Sequence, residues 1–325
     1  MKAAVVGAGG VSIQEVPVPR PGQDQVLVRL RAIGLNRADL GIASGHMHGA
    51  VGGAGAIPGL EGAGEIVECG PGVPAHITPG MRVMGAMGSS YAEYALADWA
   101  RVNPVPATNM AWEVAATLPV ALQTMHNAVV THGQVREGGS IMILGASSGV
   151  GLMGLQIARL KGAKVIVGTS TNPQKRARLK EFGATHVVDT NDPHWVAQVL
   201  DATDGKGVES VVDQLSGAVT SQALSATAIL GRIVNVGRLA GMKAEFDFDT
   251  HAARRINYIG VTFRTRSNAE VREIVRLMRD DLWSAVEAGT LALPLDRVFA
   301  LDDVRDALAH MKANQHFGKI ALRVG

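Results

Sequence analysis

Residues 145–151 read GASSGVG, and the residues around them decide what such a loop can do. Before it stands the apolar run Ile141-Met142-Ile143-Leu144. After it, Leu152, Met153, Leu155, Ile157 and Leu160 recur at helical spacing, Gly162 offers a stop, and residues 164–168 (KVIVG) read as a second strand. Strand, glycine turn, helix and strand make one βαβ unit. At its mouth the helix presents backbone N–H groups and the positive end of its dipole, which suits a dinucleotide pyrophosphate. A second glycine run, VVGAGG at 5–10, lacks that sequel. Residues 11–16 alternate apolar and polar and then meet Pro17 and Pro19, so this run predicts a hairpin turn between two strands.

The end of the second strand bears on which dinucleotide is bound. An acidic residue there would hold the ribose hydroxyls of NADH. This chain instead reads Gly168-Thr169-Ser170-Thr171-Asn172, followed by Lys175, Arg176 and Arg178. Small hydroxyl groups followed by a cation suit a 2′-phosphate, so NADPH is favoured over NADH. Arg178 fits a solvated helix face, and Lys175 is the better phosphate partner.

The elements that must position this loop emerge from the whole chain. Its 325 residues allow one large domain or two medium ones, and an apolar fraction of 47% supplies a core. A net charge of +2 with no long basic block argues against nucleic acid as a partner. One cysteine, Cys69, excludes a disulfide framework and a Cys-rich zinc site within the chain. A reducing, cytoplasmic setting fits, and the N-terminus shows no signal-peptide pattern. Residues 138–158 carry no charge, but their glycines and serines argue against a membrane span. Residues 1–120 hold short strand-like runs, near 25–32, 63–69, 81–84 and 91–96, between Gly/Pro turns, which predicts a β-rich, partly barrel-like domain. From about 121, helix and strand alternate. Strands near 141–144, 164–168, 186–189, 208–213, 231–236 and 256–261 make up a doubly wound parallel sheet. Helices over 270–289 and 301–313 and a strand over 319–324 follow, the strand returning to the first domain. The glycine-dense stretch 45–59 is the most mobile in appearance.

Taken together, LNRAD (35–39), GLEGAG (59–64), GMRV (80–83), YAEY (91–94), LPVALQT (118–124), GASSGVG (145–151), FRTRS (263–267) and FGKI (317–320) resemble the medium-chain dehydrogenase/reductase superfamily. The likeness is to its zinc-free, zeta-crystallin-like quinone oxidoreductase branch. It implies an α/β fold: a β-rich, GroES-like catalytic domain over 1–121 and 264–325, and a Rossmann cofactor domain over 122–263. Zinc-dependent relatives hold the metal with a Cys, a His after a glycine, and a Cys or Asp. The matching positions here are Asn36, Leu60 and Val120, so no zinc is expected. His46 and His48 form an H-x-H pair, but no third ligand is evident.

By position, the resemblance implies that Asn36 and Thr124 meet the nicotinamide end and serve catalysis. It implies that Ser148, Gly149 and Val150, with Gly145, Ser147 and Gly151, form the pyrophosphate turn. Thr169, Ser170 and Lys175 fall at the 2′-phosphate, and Gly237, Phe263, Arg264 and Asn314 complete the cofactor set. Structural readings stand beside these. Asn36 suits a cap on a helix starting at Arg37, and Thr124 a bond to its own helix backbone. Phe263 suits ordinary core, and Asn314 a cap on the last helix. Two tyrosines common in relatives are replaced: Met47 stands in the glycine-dense loop and Thr190 after the strand near 186–189.

The expected reaction is hydride transfer from NADPH to an electron-poor acceptor. With neither zinc nor that tyrosine, electrophilic help is modest, which suits quinones first and activated enals or enones next. Unassisted alcohol oxidation does not fit. An enoyl-thioester reductase is the alternative, with Arg254, Arg255, Arg264 and Arg266 as a basic mouth for CoA or an acyl carrier. A third reading is a non-catalytic NADPH-binding protein with a structural or RNA-binding role. A homodimer is expected by family habit, and residues 257–261 are the candidate interface strand.

Overall fold

A computed structural model of the chain describes residues 1–49, 51–107 and 110–325. Ala50, within the glycine-dense stretch, lies outside the described residues. The contacts separate two units, Met1–Val120 with Phe263–Gly325 and, inserted between them, Ala121–Thr262.

The inserted unit is built on six parallel strands. In spatial order they are His186–Val188, Val165–Thr169, Ser140–Leu144, Val208–Asp213, Thr227–Asn235 and Asn257–Gly260. The third in space is the first in sequence, and the chain then winds outward in both directions. The order reverses between Ser140–Leu144 and Val208–Asp213, and a doubly wound sheet opens its ligand crevice at the carboxyl ends of such a pair. Residues 141–144 are wholly buried, as expected of a strand covered on both faces. The uncharged stretch 138–158 resolves into strand Ser140–Leu144, the glycine turn, and most of helix Gly149–Leu160. Gly162 follows that helix with φ +78°, as the stop predicted. No helix among the described residues is long and apolar enough to cross a membrane.

The other unit is β-rich. Strands Lys2–Gly7 and Gly10–Glu15 pair antiparallel with Gly7 opposite Gly10, so VVGAGG is a hairpin turn. A seven-stranded mixed sheet carries the site. Strand Gln25–Gly34 pairs antiparallel with Glu61–Cys69 on one side and with Lys319–Arg323 on the other, and also with Tyr94–Asp98. Leu295–Ala300 lies parallel to Lys319–Arg323, so the last strand does return to the first unit's sheet. Val28, Leu30, Ile66, Tyr91, Ile320 and Leu322 are among its buried core. The structure moves several boundaries: the strand expected over 231–236 begins at Thr227, the helix expected over 301–313 begins at Val304, and the strand expected over 91–96 begins at Tyr94. Tyr91 is drawn out of the ladder, its ring buried, its N–H donating to Pro58 O and its hydroxyl to Asp39. The fold is mixed α/β, a GroES-like unit with a Rossmann-type unit.

Candidate active site

In the inserted unit, strand Ser140–Leu144 ends directly in the glycine turn. Gly145 sits at φ +73°, and its N–H donates to Thr169 Oγ1 at 3.0 Å. Ser148 is the N-cap of helix Gly149–Leu160. Its Oγ accepts from Gly151 N–H at 3.0 Å and reaches Gly145 O and Gln214 Oε1 at 3.1 Å. The first-turn N–H groups of Gly149 and Val150 have no intrahelical acceptor and stand at the positive end of the dipole. Gly151 cannot be replaced cheaply, because a Cβ there would lie 2.7 Å from Ala146 Cα and Gly145 O. Gln214, which the sequence reading missed, follows strand Val208–Asp213 and donates to Leu144 O at 3.1 Å, tying the two switch-point strands together. Gly237 closes the same end, its N–H on Asp213 O. This donor set fits a pyrophosphate, with Gly149 and Val150 as the residues that would hold it.

The residues expected at a 2′-phosphate are more committed to the protein itself than their sequence suggests. Thr169 is buried and serves the turn through Gly145, and Ser170 Oγ lies 3.1 Å from Ser147 Oγ. Arg176 donates to Ser170 O and Asp189 Oδ2, both at 2.8 Å, and Arg178 pairs with Glu181. Arg178 is exposed, as the solvated-face reading held, and makes this surface pair within its own helical turn. Lys175 stands half-buried on helix Pro173–Arg178, whose N-cap Asn172 accepts from the Lys175 N–H at 2.9 Å.

The first unit buries a polar cluster in its sheet. The register pairs Ala321 with Gly34 and Gly62 with Ile33, so Lys319 and Glu61, at their strand ends, come to the end of strand Gln25–Gly34, where Asn36 follows two residues on. Lys319 Nζ donates to Glu61 Oε1 at 2.6 Å, Leu35 O at 2.8 Å and Asn36 Oδ1 at 3.0 Å. Asn36 Nδ2 donates to Glu61 Oε1 at 2.8 Å, and Val120 N–H to Glu61 Oε2 at 2.8 Å. A Cβ on Gly34 would sit 2.6 Å from Glu61 Oε1, so the glycine makes room for the carboxylate. Asn36 is the N-cap of helix Arg37–Ala43, and its backbone N–H donates to Asp39 Oδ2 at 2.8 Å. Tyr91 OH donates to the same oxygen at 2.9 Å. Glu61 and Asp39 are fully buried, and Lys319 is 4% exposed. Sequence reasoning quoted the segments holding Glu61, Lys319, Asp39 and Tyr91 but gave these side chains no role. The available signal was a charge inside an apolar strand, as in FGKIAL and GLEGAGEIV.

A catalytic zinc does not fit these positions. Leu60 and Val120 carry no donor side-chain atom, and the Asn36 amide is bonded to Lys319 and Glu61. His46 Nδ1 lies 3.3 Å from Gly41 O, and His48 is half-buried, its pKa lowered by burial and by Arg264. Among the described residues no three His, Cys, Asp or Glu side chains converge as a metal site.

The remaining expected residues fall as follows. Thr124 is half-buried on helix Pro119–Met125, which runs into the π-helical segment His126–His132. Phe263 is half-buried and Arg264 exposed. The Arg264 backbone lies within 3.5 Å of where a Gly49 Cβ would stand, against the glycine-dense loop. Asn314 has φ +56° just beyond helix Val304–Lys312, and its Oδ1 accepts from Arg37 at 2.7 Å, so it terminates that helix, as its structural reading held. The four arginines of the expected basic mouth are divided between the units. Arg254 donates to Thr227 O and Arg266 pairs with Glu270.

Comparison with known proteins agrees with this architecture. Residues 22–107 match the alcohol dehydrogenase GroES-like domain family, and residues 149–280 match the zinc-binding dehydrogenase family. Mouse (Mus musculus) prostaglandin reductase-3 is 26% identical over 96% of this chain and 84% of its own length. Polyketide synthase GfsB of Streptomyces halstedii is 30% identical over 93% of this chain, which spans 5% of that much longer protein. A quinone oxidoreductase of Pseudomonas syringae pv. Tomato superposes with a TM-score of 0.86 at 26% identity, over 99% of this chain and 100% of that one. A mycobacterial protein solved with NADPH gives the same TM-score, identity and coverage. The chain belongs to the medium-chain dehydrogenase/reductase superfamily.

Proposed function

We propose that this protein is a zinc-independent, NADPH-dependent reductase of quinones or activated α,β-unsaturated carbonyls. The observation that carries the reading is the buried Lys319–Glu61–Asn36 cluster, which engages the Asn36 side chain and the Val120 N–H, two of the three positions where zinc-dependent relatives hold their metal. NADPH, when bound, supplies a hydride. Gly149 and Val150 would hold its pyrophosphate, with the turn braced by Gly145, Ser147, Ser148, Gly151 and Gly237. Lys175 would meet the 2′-phosphate, and Thr124, Phe263 and Arg264 would line the nicotinamide end. Asn36 donates an amide hydrogen to the acceptor oxygen as negative charge develops there. A weak neutral donor suffices for a quinone or an activated enone and not for ionising an alcohol. The quinone oxidoreductase and prostaglandin reductase relatives support the acceptor class, and the NADPH-bound neighbour supports the cofactor.

The test follows NADPH oxidation by chelator-treated protein with a simple quinone and a 2-alkenal in parallel, NADH serving as control. Turnover with NADPH that survives chelation is expected. Loss of activity on chelation, restored by zinc, overturns the zinc-free reading. A second reading, an enoyl-thioester reductase, draws on the polyketide synthase relatives. Tight NADPH binding without turnover of either acceptor would favour it or a non-catalytic role.

We also infer a homodimer formed through strand Asn257–Gly260. This strand is the edge of its sheet, where unpaired backbone groups need a partner. Exposed apolar side chains gather on the same unit, including Tyr258 at 38% and Phe248 at 75% exposure.

A further inference from the structure

The Lys319 ammonium spends its three N–H bonds on Leu35 O, Asn36 Oδ1 and Glu61 Oε1. Asn36 accepts from the cation at its oxygen and donates one Nδ2–H to the Glu61 carboxylate. The opposite amide orientation would set an NH₂ against the ammonium and a carbonyl oxygen against the carboxylate. The ion pair therefore fixes which way the amide faces. A cation at the oxygen and an anion at the nitrogen also polarise the amide in the same sense, and buried polar chains strengthen one another in this way. One Nδ2–H remains on a side chain that is 8% exposed.

We propose that Lys319 is a positioning residue that, with Glu61, turns Asn36 into an oriented, polarised hydrogen-bond donor, supplying indirectly the electrophilic help a metal gives in zinc-dependent relatives. This inference rests on the reductase reading above. It adds a specificity consequence. The device matters most for acceptors that accumulate localised charge on one oxygen, such as an enone. It matters least for a quinone, whose reduction is driven by aromatisation.

Lys319→Met tests it, with Lys319→Arg retaining the charge and the double variant Lys319→Met/Glu61→Gln removing the whole pair should a lone buried carboxylate prevent folding. In Lys319→Met, or in the double variant, kcat on the enone is expected to fall by about 10- to 100-fold, in the range of losing part of an oxyanion donor. The fall on the quinone should be under about threefold, with the KM for NADPH little changed and Lys319→Arg recovering most of the loss. In an Asn36→Ala background, Lys319→Met should cost nothing further. Equal losses on both acceptors, or an undiminished loss in the Asn36→Ala background, overturn the proposal. A separate readout is the Asn36 side-chain amide in protein labelled with ¹⁵N-asparagine. The hydrogen bonded to Glu61 should be shifted and slow to exchange with solvent in the wild type, and its shift and exchange should move toward those of a free asparagine in Lys319→Met; no change in that signal overturns the positioning role. If the wild type reduces neither acceptor while this signal behaves as expected, the reductase reading has failed and Lys319 still orients Asn36, without the catalytic purpose assigned to it.

Discussion

Asp39 is a fully buried carboxyl whose Oδ2 receives two hydrogen bonds while Oδ1 has no partner among the described residues. Burial holds its pKa up at about 7, and the nearby negative charge of Glu61 adds to the effect. The donors Asn36 and Tyr91 and the positive Lys319 pull the other way. A carboxyl raised in the folded state keeps its proton there after the unfolded chain has lost its own. Its contribution to stability is therefore complete below about pH 4 and is lost as the pH rises through about 7. Three pKa units correspond to about 4 kcal/mol. Asp39→Asn keeps an acceptor for Tyr91 and Asn36 but cannot ionise. It is expected to match the wild type near pH 4 and to exceed it above pH 7 by up to that amount. Urea unfolding across this range measures the difference, and a pH-independent gap would refute the assignment.

Among the elements, helix Gly149–Leu160 depends on its cap. Ser148→Ala removes the acceptor for Gly151 N–H and the contact to Gln214. A stability loss of about 1 kcal/mol is expected, with a raised KM for NADPH and little change in kcat, read from thermal unfolding and initial rates. The parallel strands and this helix were legible in the sequence because burial on both faces writes continuous apolar runs, and the glycine turn announced itself between them. The buried cluster was not legible. Lys319, Glu61 and Asn36 meet because strands far apart in sequence pair beside one another, and the Lys319–Asn36 pair spans 283 positions of sequence. At Asn314 the sequence leaves two roles open, because a residue that ends a helix and one that binds a ribose are the same type at the same place; the structure shows the first. The sequence alone did not show that the Thr169 hydroxyl accepts from the Gly145 N–H of the turn beside it.

At the scale of the molecule, the inserted unit is continuous in sequence, and the other is assembled from both ends of the chain. Residues 121–262 expressed alone should unfold cooperatively and gain thermal stability from NADPH, as a ligand that binds only the folded form requires. An unfolded fragment would show that the Rossmann-type sheet needs the rest of the chain. The full chain should run as a dimer in light scattering, and Tyr258→Lys, placing a charge on the edge strand, should shift it toward monomer.

The strand Lys319–Arg323 enters the first unit's sheet beside Gln25–Gly34. On the ribosome, Asn36 and Lys319 emerge 283 residues apart, a delay of roughly 15 to 60 s at ordinary rates of synthesis. Until Lys319 emerges the first unit lacks this counter-ion for Glu61 and has one bare sheet edge, while the inserted unit is complete in the chain once Thr262 has emerged. Order of synthesis thus opposes order of assembly: the half with the cofactor turn can close first, and the polar heart of the other half closes last.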